Sequence, residues 1–189
     1  MKFIIKCIKD YQEYLNEQQN NKSNINDNFW KWFGDSKMVK SNGTPIIFYH
    51  GTNKIFDIFK LGQKTRQSYY CDGFYFHKNS KKVYDYGNKI LKCYLSIKKP
   101  FHINNETLNL VDKYSETDNT KLYINDVEQF CKYTIGYRSE NNKFKVNIIN
   151  DGYDGVIIEN DIYIVFNPNQ IKSFENDGTW DINDDNIYS

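Results

Sequence analysis

The sequence predicts an α+β domain, and three observations carry that expectation. Apolar runs of strand length, among them "IIFY", "GFYF", "GVII" and "IYIVF", are bounded by Gly, Pro, Asn or Asp. Aromatic residues make up 17% of the chain, with 16 Tyr and 13 Phe, and such side chains favour pleated, half-buried surfaces. Between the runs lie segments with helix signals, so strands and helices share one layered architecture. A chain of 189 residues has the length of one domain with a substantial core.

Taken in order, residues 1–27 read as an N-terminal extension and polar linker. They begin with alternating apolar and charged groups and end in the low-complexity run "NEQQNNKSNINDN". Residues 28–189 read as the domain. "FWKWFG" is a short helix stopped by Gly34, "SNGTP" a turn, and "IIFYHGT" a strand ending in a polar corner. "GFYF" is a second strand, with Gly73 relieving crowding at its start, and "NSKKVYDYG" a helix ending at Gly87. "ILKCYLSIKKPF" alternates like a half-buried strand that halts at Pro100. Residues 104–145 are charged and helical in places, and "GVIIE" and "IYIVF" supply the last strands.

Composition excludes several classes. The 25 basic and 24 acidic residues nearly cancel, which argues against a strong overall nucleic-acid or membrane field. Alanine is absent while Asn, Lys and Ile abound, the bias of an AT-rich genome. Cys7, Cys71, Cys93 and Cys131 are scattered without metal-ligand spacing and read as reduced thiols, and His77 and His102 as surface or core histidines. No metal site is expected. The N-terminus lacks a signal-peptide core and no run reaches transmembrane length, so a cytoplasmic protein is expected, in the host or the producing cell. There is no GxGxxG, Walker-type loop or nucleophile elbow.

Two constellations carry chemistry. In "YHGT", His50 is the arrangement of a core histidine at a strand-to-loop bend. It also suits a residue that offers a ring nitrogen to a ligand hydroxyl, while Gly51 opens its backbone to a planar amide and Thr52 adds a hydroxyl. In "GFYFHKNSKKVYDYG", Tyr75 lies mid-strand and Tyr86 eleven residues on, either as core packing or as two walls for a flat heteroaromatic ring. "KNSKK" reads as a solvated helix face. Arg66 and Lys64 lie in the loop before Tyr75.

These pieces occur in one order: His-Gly-Thr, then Gly-Phe-Tyr-Phe with a later Tyr, then Tyr-Ile-Val-Phe with Gln170 four residues beyond Phe166. That order resembles the ADP-ribosyltransferase superfamily, in its diphtheria-toxin-like and poly-ADP-ribose-polymerase-like branch. The phrases "FWKWFGDSKMVKSNGTPIIFYHGT", "GYDGVII" and "VFNPNQIKS…NDGTWD" resemble the ADP-ribosyltransferase domain of polyvalent proteins of phages and mobile elements, over roughly residues 28–181. The resemblance implies a split core of two small antiparallel-rich sheets with flanking helices and NAD as co-substrate between them. His50, Tyr75 and Tyr86 would be catalytic; with Gly51, Thr52 and Arg66 they would hold NAD. His50 would bond the adenosine ribose, Gly51 clamp the nicotinamide amide, and Tyr75 and Tyr86 close on its ring. Arg66 would reach the pyrophosphate or an acidic acceptor.

The superfamily's third element brings a glutamate immediately before the Tyr-x-Val-aromatic strand, and here that slot holds Ile162. Glu159 and Asp161 have the opposite strand parity, so a regular strand would turn both to the other face. "YRSEN" only imitates the arginine-modifying pattern. The departure argues against chain elongation. The resemblance then implies transfer of one ADP-ribose to a macromolecular acceptor, protein or nucleic acid, whose own carboxylate or phosphate does the missing work. It also implies a phage or mobile-element effector or toxin. Hydrolysis of NAD, or NAD or ADP-ribose binding without catalysis, are the alternatives.

Overall fold

The computed structural model of the chain describes residues 25–61, 73–107 and 143–189, and the fold is α+β. Arg66, Lys64, Cys7, Cys71, Cys131, the "YRSEN" segment and most of the N-terminal extension lie outside the described residues.

Helix α1 (Asp27–Phe33) starts where the Asn26 side chain accepts from the backbone N–H groups of Asn28 and Phe29, both at 3.0 Å. It stops at Gly34, whose φ of 57° and N–H to the Trp30 carbonyl close the last turn. Its buried face, Phe29, Trp32 and Phe33, meets Trp180, with ring centroids of Phe29 and Trp180 4.8 Å apart. The Asn26 amide also donates to Gly178 O, which ties the start of the helix to the segment leading into Trp180.

Seven strands follow: β1 (Phe48–Thr52), β2 (Phe74–His77), β3 (Lys89–Leu95), β4 (Pro100–Ile103), β5 (Gly155–Ile158), β6 (Ile162–Val165) and β7 (Ile171–Ser173). They form one sheet in the order β4-β5-β6-β2-β1-β3-β7, parallel between β4 and β5 and antiparallel elsewhere. The expected two halves are present as β1-β3-β7 neighbours and β2-β6-β5-β4 neighbours, but they are hydrogen-bonded into one sheet. The seam between them is thin: β1 and β2 share the single registered pair Tyr49↔His77.

Each face of the sheet has its own core, because side chains alternate across the sheet. Phe48, Phe74, Phe76, Tyr163 and Val165 pack under α1, while Ile158, Ile164, Phe101 and Phe166 pack under helix α2 (Lys143–Asn150), with Tyr75 and Ile162 against them. Pro100 opens β4 rather than merely halting β3. A proline is tolerated as the first residue of a strand, and here it pairs with Gly155. The intervening bend is capped by Asp154, whose carboxylate accepts from the N–H groups of Lys98 and Lys99 at 2.8 Å each.

Gln170 belongs to a 3₁₀ turn (Pro168–Gln170) that leads into β7. Its Oε1 accepts from the N–H groups of Phe166 and Asn167, and its Nε2 donates to the carbonyls of Ser96 and Asp154. One side chain thereby locks the ends of β6 and β3 to the start of β5, so the fixed spacing in "VFNPNQ" is architectural.

Candidate active site

The seam opens at one end. Continuing the antiparallel register past Tyr49↔His77 would set Gly51 opposite Tyr75 and Thr52 opposite Phe74, and neither pair is formed. In place of a ladder bond, His50 Nδ1 lies 2.8 Å from the Tyr75 carbonyl. A carbonyl can only accept, so Nδ1 carries the hydrogen and the neutral ring keeps Nε2 as an acceptor for a ligand hydroxyl. Phe59 and Phe76 surround the ring at centroid distances of 5.0 and 5.4 Å. Burial among them holds the imidazole below its ordinary value, and the bond to Tyr75 only partly offsets this.

Gly51 is required by its neighbour. A methyl group there would overlap the Val83 carbonyl oxygen outright and lie 3.1 Å from Tyr86 Cβ. The overlapping carbonyl belongs to the 3₁₀ helix Ser80–Tyr86, which starts at Asn79 and ends at Gly87. This segment was expected as a helix, and its tighter 3₁₀ winding lets it lie directly on β1. Gly51 therefore serves first as a seat for the helix carrying Tyr86; the space above its Cα is filled. Gly73 likewise sits against Ile164 and the Val165 carbonyl, as crowding at the start of β2 demands.

Tyr86 is 64% exposed, and its ring lies near-parallel to His77, centroids 6.4 Å apart at 20°. His77 is two residues along β2 from Tyr75 on the same face, about 6.6 Å at strand rise. Tyr75 is half-buried against the second core. Thr52 turns its hydroxyl to its own loop, donating to the Lys54 carbonyl at 3.0 Å and accepting from the Lys54 N–H. The structure thus joins His50 to Tyr75 and Gly51 to Tyr86, whereas the Thr52 hydroxyl is engaged locally.

Ile162 is in register opposite His77, so it shares the face of Tyr75. Asp161 does not follow the parity expected of it. Glu159 and Asn160 both have positive φ, 49° and 56°, and Asp161 N–H bonds the Ile158 carbonyl at 2.9 Å, a left-handed turn of the hairpin type. The first registered pair beyond the turn is Ile158↔Ile162, which leaves Asp161 as an extra residue, in effect a bulge. Its carboxylate accordingly swings to the site face. There Oδ2 meets Lys82 Nζ at 2.6 Å and Oδ1 lies 3.8 Å from His77 Nδ1.

His77, Lys82 and Asp161 are the residues that strand periodicity missed. His77 read as surface or core and is 8% exposed, with Nδ1 buried and lacking a hydrogen-bond partner. Burial lowers its pKa, and the Asp161 charge offsets part of that. Lys82 read as a solvated helix residue. The "END" before β6 was the one sequence signal: Asn160, a residue able to adopt positive φ, followed by a carboxylate. No group of three or more His, Cys, Asp or Glu able to hold a metal occurs among the described residues, and no helix there is long and apolar enough to cross a membrane.

A sheet that parts beside a His–Gly strand end, with one tyrosine on the facing strand and another on a covering helix, is the framework of an ADP-ribosyltransferase-type domain. The chain matches the family described as ADP-ribosyltransferase in polyvalent proteins over residues 40–180, and it belongs to that family. Comparison with curated proteins and with solved structures gave no match.

Proposed function

We propose that this protein transfers a single ADP-ribose unit from NAD to a macromolecular acceptor, protein or nucleic acid. The observation that carries the reading is the His50–Tyr75 junction across the open seam, backed by the family to which the chain belongs. The neutral His50 has Nε2 free to accept from a ribose hydroxyl. Tyr75 and Tyr86 offer aromatic surface for the nicotinamide ring, and the Gly51 backbone lies between His50 and the helix that bears Tyr86. Arg66, which precedes β2 in the sequence, is proposed to reach the pyrophosphate or an acidic acceptor.

The chemistry suits such a site. Nicotinamide leaves as a neutral base with the electron pair of the broken C–N bond, so it needs no proton. The barrier lies in reaching an oxocarbenium-like ribose, as in glycoside hydrolysis. Orientation and fixed dipoles supply much of the lowering. The apolar Ile162 beside His77 gives no group to extend a chain, which supports single transfer. The setting we propose is the cytoplasm, with the protein acting as an effector of a phage or mobile element on host machinery.

Labelled NAD incubated with cell lysate tests the reading. Label on protein or nucleic acid is expected, and His50→Ala and Tyr75→Ala should each abolish it. Release of free ADP-ribose alone would make the protein an NAD hydrolase, and unchanged NAD would leave it a binding module. Activity that survives both substitutions refutes the site.

A further inference from the structure

An ion pair to Lys82 and a 3.8 Å approach to the His77 imidazole converge on Asp161, and both partners belong to the candidate site. Lys82 stands on the 3₁₀ helix whose Val83 carbonyl rests on Gly51, and His77 lies under the Tyr86 ring. The Asp161 side chain is 38% exposed, so it is open to an incoming macromolecule, whereas His77 is closed off. Building a left-handed turn from two non-glycine residues is unfavourable. Here that turn has one visible consequence, the carboxylate on the site face.

We propose that Asp161 is the carboxylate of the transfer reaction, taking the proton of the acceptor's attacking group. This rests on the transfer reading above. A lone pair of a hydroxyl, thiol or nitrogen group on the acceptor forms the new bond to the ribose C1′. The C1′–nicotinamide bond breaks with its electron pair going to the nicotinamide nitrogen. The proton of the attacking group passes to Asp161 and from there to water. Meanwhile the carboxylate's charge faces the developing positive charge of the ribose. Lys82 holds the side chain in place, and His77 Nδ1, 3.8 Å away and without a hydrogen-bond partner, is the next protonatable atom. An acceptor need not supply its own acidic group, and the acceptor class becomes one with a proton to lose.

The test compares the full chain with Asp161→Asn, Asp161→Glu, Lys82→Met and Glu159→Gln, measuring nicotinamide release from labelled NAD with lysate, label incorporation, and NAD affinity. Asp161→Asn should lower the transfer rate by about 100-fold or more, the usual reach of a general base, with NAD affinity unchanged. It should also flatten the acid limb of the pH–rate profile; the charged groups facing Asp161 are Lys82 and His77. Asp161→Glu should restore part of the rate, Lys82→Met should fall between, and Glu159→Gln should match the parent. An active parent with Asp161→Asn retaining more than about a tenth of its rate overturns this assignment alone. An Asp161→Asn variant that is slow but keeps the parent's pH profile also overturns it. A parent that transfers nothing from NAD overturns the transfer reading and this assignment with it.

Discussion

Gly51→Ala is the sharpest test of how the site is assembled. The added methyl would overlap the Val83 carbonyl oxygen and stand 3.0 Å from the Val83 carbonyl carbon and 3.1 Å from Tyr86 Cβ. Carbon pairs settle at roughly 3.5–4.0 Å, so relief requires the 3₁₀ helix to withdraw by on the order of 1 Å. The obstructing atoms are backbone, which excludes escape by a rotamer change. Overpacking of this kind costs about 1–3 kcal/mol, and each kcal/mol lowers the melting temperature of a chain this size by about 2–4 °C. The functional loss should exceed the loss of stability, because the displaced helix carries Tyr86 and Lys82, and a misplacement of about 1 Å can cost about 100-fold in rate. Thermal unfolding by circular dichroism, with NAD titration and the labelled-NAD assay, measures both. A Gly51→Ala protein as stable and as active as the parent would refute the claim that this glycine exists to seat the helix.

Gln170→Ala removes four hydrogen bonds that join three strand ends, and at roughly 1 kcal/mol each, reduced where water can enter, the loss should be about 2–4 kcal/mol by denaturant unfolding. A loss under about 0.5 kcal/mol would show that the side chain is not a lock. Acidification should destabilise the fold in two stages. His50 and His77 titrate below their ordinary 6.5 when folded, so the unfolded chain binds protons first; stability is full above pH 6.5 and falls from there down to the folded values. Asp177 and Asp184 have folded values below their ordinary 3.8, so their contribution is present above pH 3.8 and is lost as pH falls through the folded values. Melting temperature against pH reads both, and a His50→Phe/His77→Phe double variant should lose most of the first stage.

The sequence by itself determined β1, β2, β3, β5 and β6 and the helix stop at Gly34, whereas β4 read as the end of β3 and β7 was not read as a strand. Periodicity, punctuating glycines and the fixed phrase "IYIVFNPNQ" are local features, each legible within a dozen residues. It also singled out His50, Gly51, Tyr75 and Tyr86, whose order along the chain matches their arrangement across one seam. Only the tertiary structure decided what that seam is. A ladder reduced to Tyr49↔His77, with His50 in place of the next backbone bond, depends on how far two strands splay, and no local pattern encodes that. Tertiary packing also assigned Gly51 to helix seating and Gln170 to strand locking, since both depend on atoms distant in sequence. Asp161 marks the boundary most clearly. Parity placed it on the wrong face because parity presumes a regular strand, and two left-handed residues before it shift the chain by one place. The position expected to carry a glutamate does hold Ile162, and a carboxylate one residue earlier reaches the same face through the turn.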